Sequence, residues 1–246
     1  MEPIYRQTHV ITDIHVDCFN RLKSSVLLYF AQEAAAGHCL QLHADWDTLA
    51  KQHLFWAITR HRVQITRLPM KGETITVETW PMPTTRVAYP RSTVAYDEQG
   101  NELFRTIGLW VLMNTDTRAM ILPGKSGVLV PGTIRGTELA IPGSLMPHPG
   151  SSSIRRTVGY TDLDINCHMN NTRYMDWVDD LMPSAFHRDH PVREFTVCYL
   201  SEAKEGQQLQ VNWAVSDGPV MQVDTFRDKP EIPGAQERIF SARILF

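Results

Sequence analysis

The chain repeats itself. The segment TDIHVDCF, Thr12 to Phe19, lies over TDLDINCH, Thr161 to His168, with three identities and the conservative pairs Ile14/Leu163, Val16/Ile165 and Asp17/Asn166. Further on, VQITRLPMKGETITVETW (Val63–Trp80) lies over VCYLSEAKEGQQLQVNWA (Val197–Ala214), with Gly72 against Gly206 and apolar alternation on both sides of the glycine. Alternation broken by a glycine turn reads as two strands joined by a hairpin. ELFRTIGLWV, from Glu102, and RIFSARILF, from Arg238, supply a closing strand to each copy. Three matches in one order define a tandem duplication, each copy an α+β unit with a lead strand, one helix and several antiparallel strands.

The helix in each copy is legible from its apolar stripe. Leu27, Phe30, Ala31 and Ala34 recur at helical spacing behind Ser24 and Ser25, which are read as the cap. Tyr174, Trp177, Val178 and Leu181 do so behind Asn170 and Asn171, until Pro183 stops the run. Between the copies, residues 122–153 are rich in Gly, Pro and Ser and read as a connector. The expected layout is a first domain over 1–125, a linker over 126–150 and a second domain over 151–246.

Within that layout the chemistry is unequal. In the second copy Asp164, Asn166 and His168 stand at every second position ahead of the helix, and Glu202 follows a strand. The alignment sets His15, Asp17, Phe19 and Leu68 against them. An extended segment would put Asp164, Asn166 and His168 on one face, with Ile165, Cys167 and Met169 on an apolar one. Free amides at Asn171–Arg173 would then stabilise negative charge on a carbonyl oxygen. The plain alternative is that Asp and Asn before a helix serve only as caps and turn formers. Their absence from the sister copy favours the chemical reading.

Bulk properties exclude several classes. A net charge of −3 without a long run of one sign argues against a dedicated nucleic-acid surface. No apolar run is long enough to span a bilayer, so no membrane role is expected. The opening MEPIYRQTHV has no basic leader or apolar core of a secretory signal. Four cysteines without CxxC pairing fit a reduced, cytoplasmic protein with no structural zinc. PGKS (Pro123–Ser126) lacks the leading glycine of a phosphate loop, and HRDH (His187–His190) has no further ligand cluster and reads as a solvent loop.

TDLDINCHMNNTRYMDW (Thr161–Trp177) closely resembles the signature of the acyl-acyl-carrier-protein thioesterases. FWAITRHRVQITRLPMKGETITVETWP (Phe55–Pro81) and GLWVLMNTDTRAMILP (Gly108–Pro123) resemble two blocks of the same family's first half. The resemblance implies a double hotdog fold, two helices each wrapped by an antiparallel sheet, with acyl binding in the first domain and catalysis in the second. It implies hydrolysis of fatty acyl thioesters on acyl carrier protein, with no cofactor or metal, and Asp164, Asn166, His168 and Glu202 as the catalytic set. The plant members' cysteine after the glutamate is replaced here by Ala203. The plastid leader of those members is also missing, as in a bacterial-type form. Alternatives are an acyl-CoA thioesterase of the same fold, a hydratase or dehydratase, and a non-catalytic acyl-binding protein. Arg60, Arg62 and Arg67, or Arg155 and Arg156, are candidates for docking an acidic carrier, and both a monomer and a homodimer fit.

Overall fold

A computed structural model describes residues 2–136, 138–216, 218–229 and 231–246. The chain divides into two compact units, Met1–Pro142 and Gly143–Phe246. The first contains β1 (Tyr5–Val10), α1 (Ser24–Gln41), α2 (Trp46–Ala50), β2 (Leu54–Ile65), β3 (Thr74–Pro81), β4 (Tyr89–Tyr96), β5 (Glu102–Asn114) and the short β6 (Met120–Ile121). Its antiparallel strands run in the order β1-β3-β4-β5-β2, with β6 on β5. The second contains β7 (Ser152–Thr157), α3 (Arg173–Asp179), α4 (Ser184–Asp189), β8 (Glu194–Tyr199), β9 (Gln208–Ser216), β10 (Val220–Asp228) and β11 (Gln236–Leu245). Its order, β7-β9-β10-β11-β8, repeats the first strand for strand. Each unit is thus one hotdog: a helix laid on a curled antiparallel sheet.

The helix of the first unit forms where the stripe places it. Leu27, Phe30, Ala31 and Ala34 are all buried, and each large side chain removed from water contributes about 1.5–3 kcal/mol. Lys23 is the capping position, without a side-chain bond, and Ser24 and Ser25 are buried inside the helix rather than capping it. Gly37 stands inside the continuous helix for a steric reason: a Cβ there would lie 2.5 Å from the Tyr5 hydroxyl of β1. In the second unit the helix is cut to seven residues. The run ends at Asp179, short of Leu181 and of Pro183, and Pro183 is the N-cap of the short helix α4, which takes the place of the solvent loop expected around His187 and His190. Both imidazoles bond back to carbonyls, His187 to Asp179 and His190 to Phe186.

The first strand and the helix are joined by the same contact in both units. In the second, Arg156 of β7 lies over Trp177 at 5.0 Å and pairs with Asp180 at 2.8 Å. In the first, His9 stacks on Phe30 at 4.0 Å and sits 4.0 Å from Glu33. The permanent cation of one copy is a titratable imidazole in the other.

The interiors differ more sharply. Beneath α1, the buried Arg91 guanidinium meets His38 Nδ1 at 3.2 Å, Thr79 Oγ1 at 3.4 Å and Cys39 Sγ at 3.8 Å. No carboxylate joins that group among the described residues. Thr93 donates to Thr79 at 3.0 Å, and His61 meets Thr106 at 2.8 Å, all buried. The strand registers place Met221, Trp213, Val223, Phe195 and Ala242 at the positions of Arg91, Thr79, Thr93, His61 and Thr106. At these five positions the first copy, not the second, is polar.

The connector has few regular elements but is bound to the first unit. Thr133 N donates to Pro81 O at 2.8 Å, Trp80 Nε1 to Glu138 at 3.0 Å, and Arg60 to Pro142 O at 3.1 Å. Arg135 pairs with Glu78. Among the described residues no helix is long and apolar enough to cross a membrane.

Burial lowers the pKa of His38 and of His61 to about 4, and lowers that of His9 as well. In the unfolded chain these groups bind protons near pH 6.5. Their contribution to stability is therefore fully present above about pH 6.5 and is lost as the pH falls toward 4. Each fully titrating imidazole contributes a slope of about 1.4 kcal/mol per pH unit. Equilibrium unfolding between pH 7.5 and 5 is expected to show stability falling below pH 6.5, before the carboxylates titrate. A flat profile over that range would contradict the burial of these rings.

Candidate active site

The segment carrying Asp164, Asn166 and His168 is a closed loop, not an extended strand. Leu163 bridges to Met169, Asp164 N donates to His168 O at 2.8 Å, and Cys167 N donates to Asp164 O at 3.0 Å. Asp164 Oδ1 accepts from the amides of Asn166 (2.8 Å) and His168 (3.2 Å). Cys167 closes the turn with φ of 58°, a left-handed conformation that Asn and Gly adopt most readily. The expected apolar face does not exist: Ile165 is 77% exposed and Cys167 is exposed, while Met169 alone is buried. Alternation fails because a tight loop, unlike a strand, does not send successive side chains to opposite sides.

The first unit builds the same loop two residues out of step with the alignment by identity. Val16 bridges to Leu22, Asp17 N donates to Arg21 O, and Asn20 N donates to Asp17 O. Asp17 Oδ1 accepts from Phe19 and Arg21 at 2.8 and 2.9 Å, and Asn20 has φ of 62°. Asp17 therefore matches Asp164, Phe19 matches Asn166, Asn20 matches Cys167 and Arg21 matches His168. The aspartate is present in both copies and closes the loop in both. What separates the copies is Asn166 and His168.

His168 is brought to Glu202. Its Nε2 lies 3.2 Å from Glu202 Oε2, with side-chain exposures of 11% for the imidazole and 43% for the carboxylate. Two backbone anchors fix this approach. Met169 N donates to Ala203 O at 2.8 Å, and Leu200 N and Ser201 N both donate to Ile239 O, at 2.8 and 3.2 Å. Ile239 stands at the β-bulge between β10 and β11, where one carbonyl serves two amides and turns the chain outward at Glu202. The first unit repeats this at Leu103, whose carbonyl takes Thr66 N and Arg67 N, with Leu68 at the place of Glu202.

The Asn166 carboxamide is half-buried and makes no hydrogen bond among the described residues. The helix amides do not stand free as expected. Thr172 N donates to Asn170 Oδ1 at 2.9 Å and Arg173 N donates to Asn170 O at 3.0 Å. Asn170 acts as the cap, and the Asn171 carbonyl accepts from the Tyr199 hydroxyl at 3.1 Å. Ala203, at the position of the plant members' cysteine, is fully buried. Among the described residues no group of His, Cys, Asp and Glu has the arrangement of a metal site. Of the docking candidates, Arg67 is gripped by Glu73 at 2.7 Å.

Sequence reasoning missed Arg227, whose Nη1 donates to Glu202 O at 3.0 Å and to Gln207 Oε1 at 2.8 Å. A charge at the end of an alternating strand reads as solvated, and its partners lie 20 and 25 residues away. Only the fold brings them together.

A glutamate held by a mostly buried imidazole and open to solvent is suited to activating water against an electrophilic carbonyl. The profile of the acyl-ACP thioesterase N-terminal domain matches residues 2–122, and that of the C-terminal domain matches residues 149–238. The chain is 27% identical over 230 residues to a dodecanoyl-[acyl-carrier-protein] hydrolase of Cinnamomum camphora, covering 87% of this chain and 60% of that protein. It is 26% identical to a palmitoyl-acyl carrier protein thioesterase of Gossypium hirsutum, covering 87% of this chain and 55% of the relative. The chain thus spans less than two thirds of the length of these relatives. Among solved structures it superposes on an acyl-ACP thioesterase from Bacteroides thetaiotaomicron with a TM-score of 0.85 at 24% identity, over 99% and 98% of the two chains. A 12:0-ACP thioesterase from Umbellularia californica gives 0.82 at 24% identity, over 100% and 97%. These likenesses show the shared fold.

Removing the loop-closing carboxylate in either copy leaves two amides without their acceptor. Asp164→Ala and Asp17→Ala are each expected to cost about 1–2 kcal/mol in equilibrium unfolding. Cys167→Asn is expected to keep stability and any thioester hydrolysis at the wild-type level, since Asn20 fills that position in the first copy. Cys167→Val should lose about 1 kcal/mol or more, because β-branched residues resist positive φ. Loss of hydrolysis in Cys167→Asn would instead point to a role for the Cys167 thiol in the reaction.

Proposed function

The chain belongs to the acyl-ACP thioesterase family, and from that premise we propose that it hydrolyses a fatty acyl thioester on acyl carrier protein to the free acid and the carrier thiol. The observation that carries this reading is the 3.2 Å contact between His168 and Glu202. In the mechanism, the neutral imidazole donates Nε2–H to one carboxylate oxygen and orients Glu202. The more exposed carboxylate removes a proton from water, whose oxygen attacks the thioester carbonyl. The Asn166 amide donates to the oxygen that becomes negative in the tetrahedral intermediate. Collapse breaks the C–S bond, and the proton held by Glu202 passes to the departing thiolate. Asp164 keeps Asn166 and His168 in register through its two backbone bonds. A thioester is already an activated acyl group, so the reaction needs no cofactor.

The division of labour follows the loops. With Arg21 and Leu68 at the places of His168 and Glu202, the first unit has no comparable pair and is assigned to binding the acyl portion. The reaction is placed in fatty acid synthesis and in the cytoplasm, where the four free cysteines remain reduced.

Glu202→Gln and His168→Ala are expected to keep the wild-type melting temperature while lowering thiol release from acyl carrier protein by roughly 100- to 10,000-fold. Asn166→Ala is expected to lose roughly 100-fold. The check is release of thiol and fatty acid from acyl-carrier proteins of several chain lengths, with matched acyl-CoA substrates alongside. Full turnover in both Glu202→Gln and His168→Ala would remove the pair from the mechanism.

A further inference from the structure

Both units tie the strap after the second strand of the hotdog to the glycine turn with a guanidinium, but they draw it from different strands. In the first unit Arg67, on the strap itself, donates to Leu68 O at 3.4 Å and forks onto Glu73 at 2.7 and 2.9 Å, with Asp97 at 3.9 Å. The registers and bulges of the two sheets match Arg67 with Ser201, Leu68 with Glu202, Glu73 with Gln207 and Asp97 with Arg227. In the second unit the guanidinium comes from β10. Arg227 donates to Glu202 O and to Gln207 Oε1, and pairs with Glu237 at 2.5 Å. A hydrogen bond from Ser201, together with Arg227, holds the Glu237 carboxyl below the usual carboxylate range. The guanidinium of the clamp has moved from the strap to the position of Asp97 in the other copy, and serine replaces the arginine directly before Glu202.

We propose that Arg227, backed by Glu237 and Gln207, is a positioning residue that presents Glu202 to His168. The clamp holds the backbone carbonyl of Glu202, and its work is to set the direction in which the strap delivers that side chain. The inference rests on the proposed hydrolysis for its kinetic consequence, while its geometric content stands apart from it.

The test has two readouts, applied to the full chain as wild type, Arg227→Gln, Arg227→Lys and Glu202→Gln. The first is the titration of His168 by NMR, where the difference between wild type and Glu202→Gln sets the scale. Arg227→Gln is expected to move His168 most of the way to the Glu202→Gln value, and Arg227→Lys to stay near wild type, at matched melting temperatures. The second is hydrolysis of acyl carrier protein thioesters. Arg227→Gln should lower kcat by roughly 10- to 100-fold with little change in KM, as displacement of a reactive group does, and Arg227→Lys should recover most of that loss. An Arg227→Gln protein with His168 titrating as in wild type, or with a wild-type kcat, overturns the proposal. Should wild type release no thiol while the titrations behave as expected, the hydrolase reading fails and the positioning role stands.

Discussion

Two peptide amides converge on one carboxylate oxygen in each half of the chain, and in the second half the placement of His168 follows from that convergence. Asp164 Oδ1 gathers the amides of Asn166 and His168. Those bonds fix the five-residue loop between Leu163 and Met169 and leave the imidazole pointing at the strap. A loop held this way costs little to keep ordered, because its polar backbone groups are satisfied within itself. The glutamate needs the complementary arrangement: a bulge at Ile239 that ends pairing and a bond from Met169 N to Ala203 O that draws strap and loop together. Neither piece bears chemistry alone, and the 3.2 Å contact exists because both are anchored to the same sheet.

Duplication distributed polarity unevenly. The first unit keeps hydroxyls, imidazoles and a guanidinium under its helix, mutually bonded, where the second packs Met221, Val223, Phe195 and Ala242. A buried guanidinium among neutral acceptors is costly to desolvate, so the network around Arg91 is held together by its completeness. The second unit packs apolar side chains at those positions, but it buries Asp224 elsewhere, bonded to Ser241 and paired with Arg238. Its Arg227, Glu237 and Glu202 are partly exposed. The helices differ as well, with eighteen residues in the first unit and seven in the second.

The duplication, the order of elements along each copy and the helix stripes from Leu27 to Ala34 and from Tyr174 to Val178 are legible in the sequence, because each rests on local periodicity. The pairing of Gly72 with Gly206 also set Leu68 correctly against Glu202, since a turn needing positive φ pins its own register. The loop was harder. Matching Thr12, Asp13 and Cys18 to Thr161, Asp162 and Cys167 maximised identities and slipped the alignment by two, hiding Asp17 as the partner of Asp164. Backbone bonds, not side-chain identity, define that loop, and three chance matches outweighed them. Of the expected caps Asn170 does the capping, and by taking the amides of Thr172 and Arg173 it removes two of the donors expected to be free. Arg227 left no trace, because its partners come from a distant strap and turn.

The fidelity with which the first unit reproduces the loop has a practical side. Arg21 and Leu68 stand on a backbone already bent to hold a histidine and a glutamate, down to the left-handed residue directly before Arg21. Two exchanges, Arg21→His and Leu68→Glu, would therefore graft the dyad into a spare socket without redrawing the main chain. What such a graft would still lack is an apolar cradle beneath it, which makes this protein a natural host for asking whether a reactive pair or its surroundings is the harder thing to evolve.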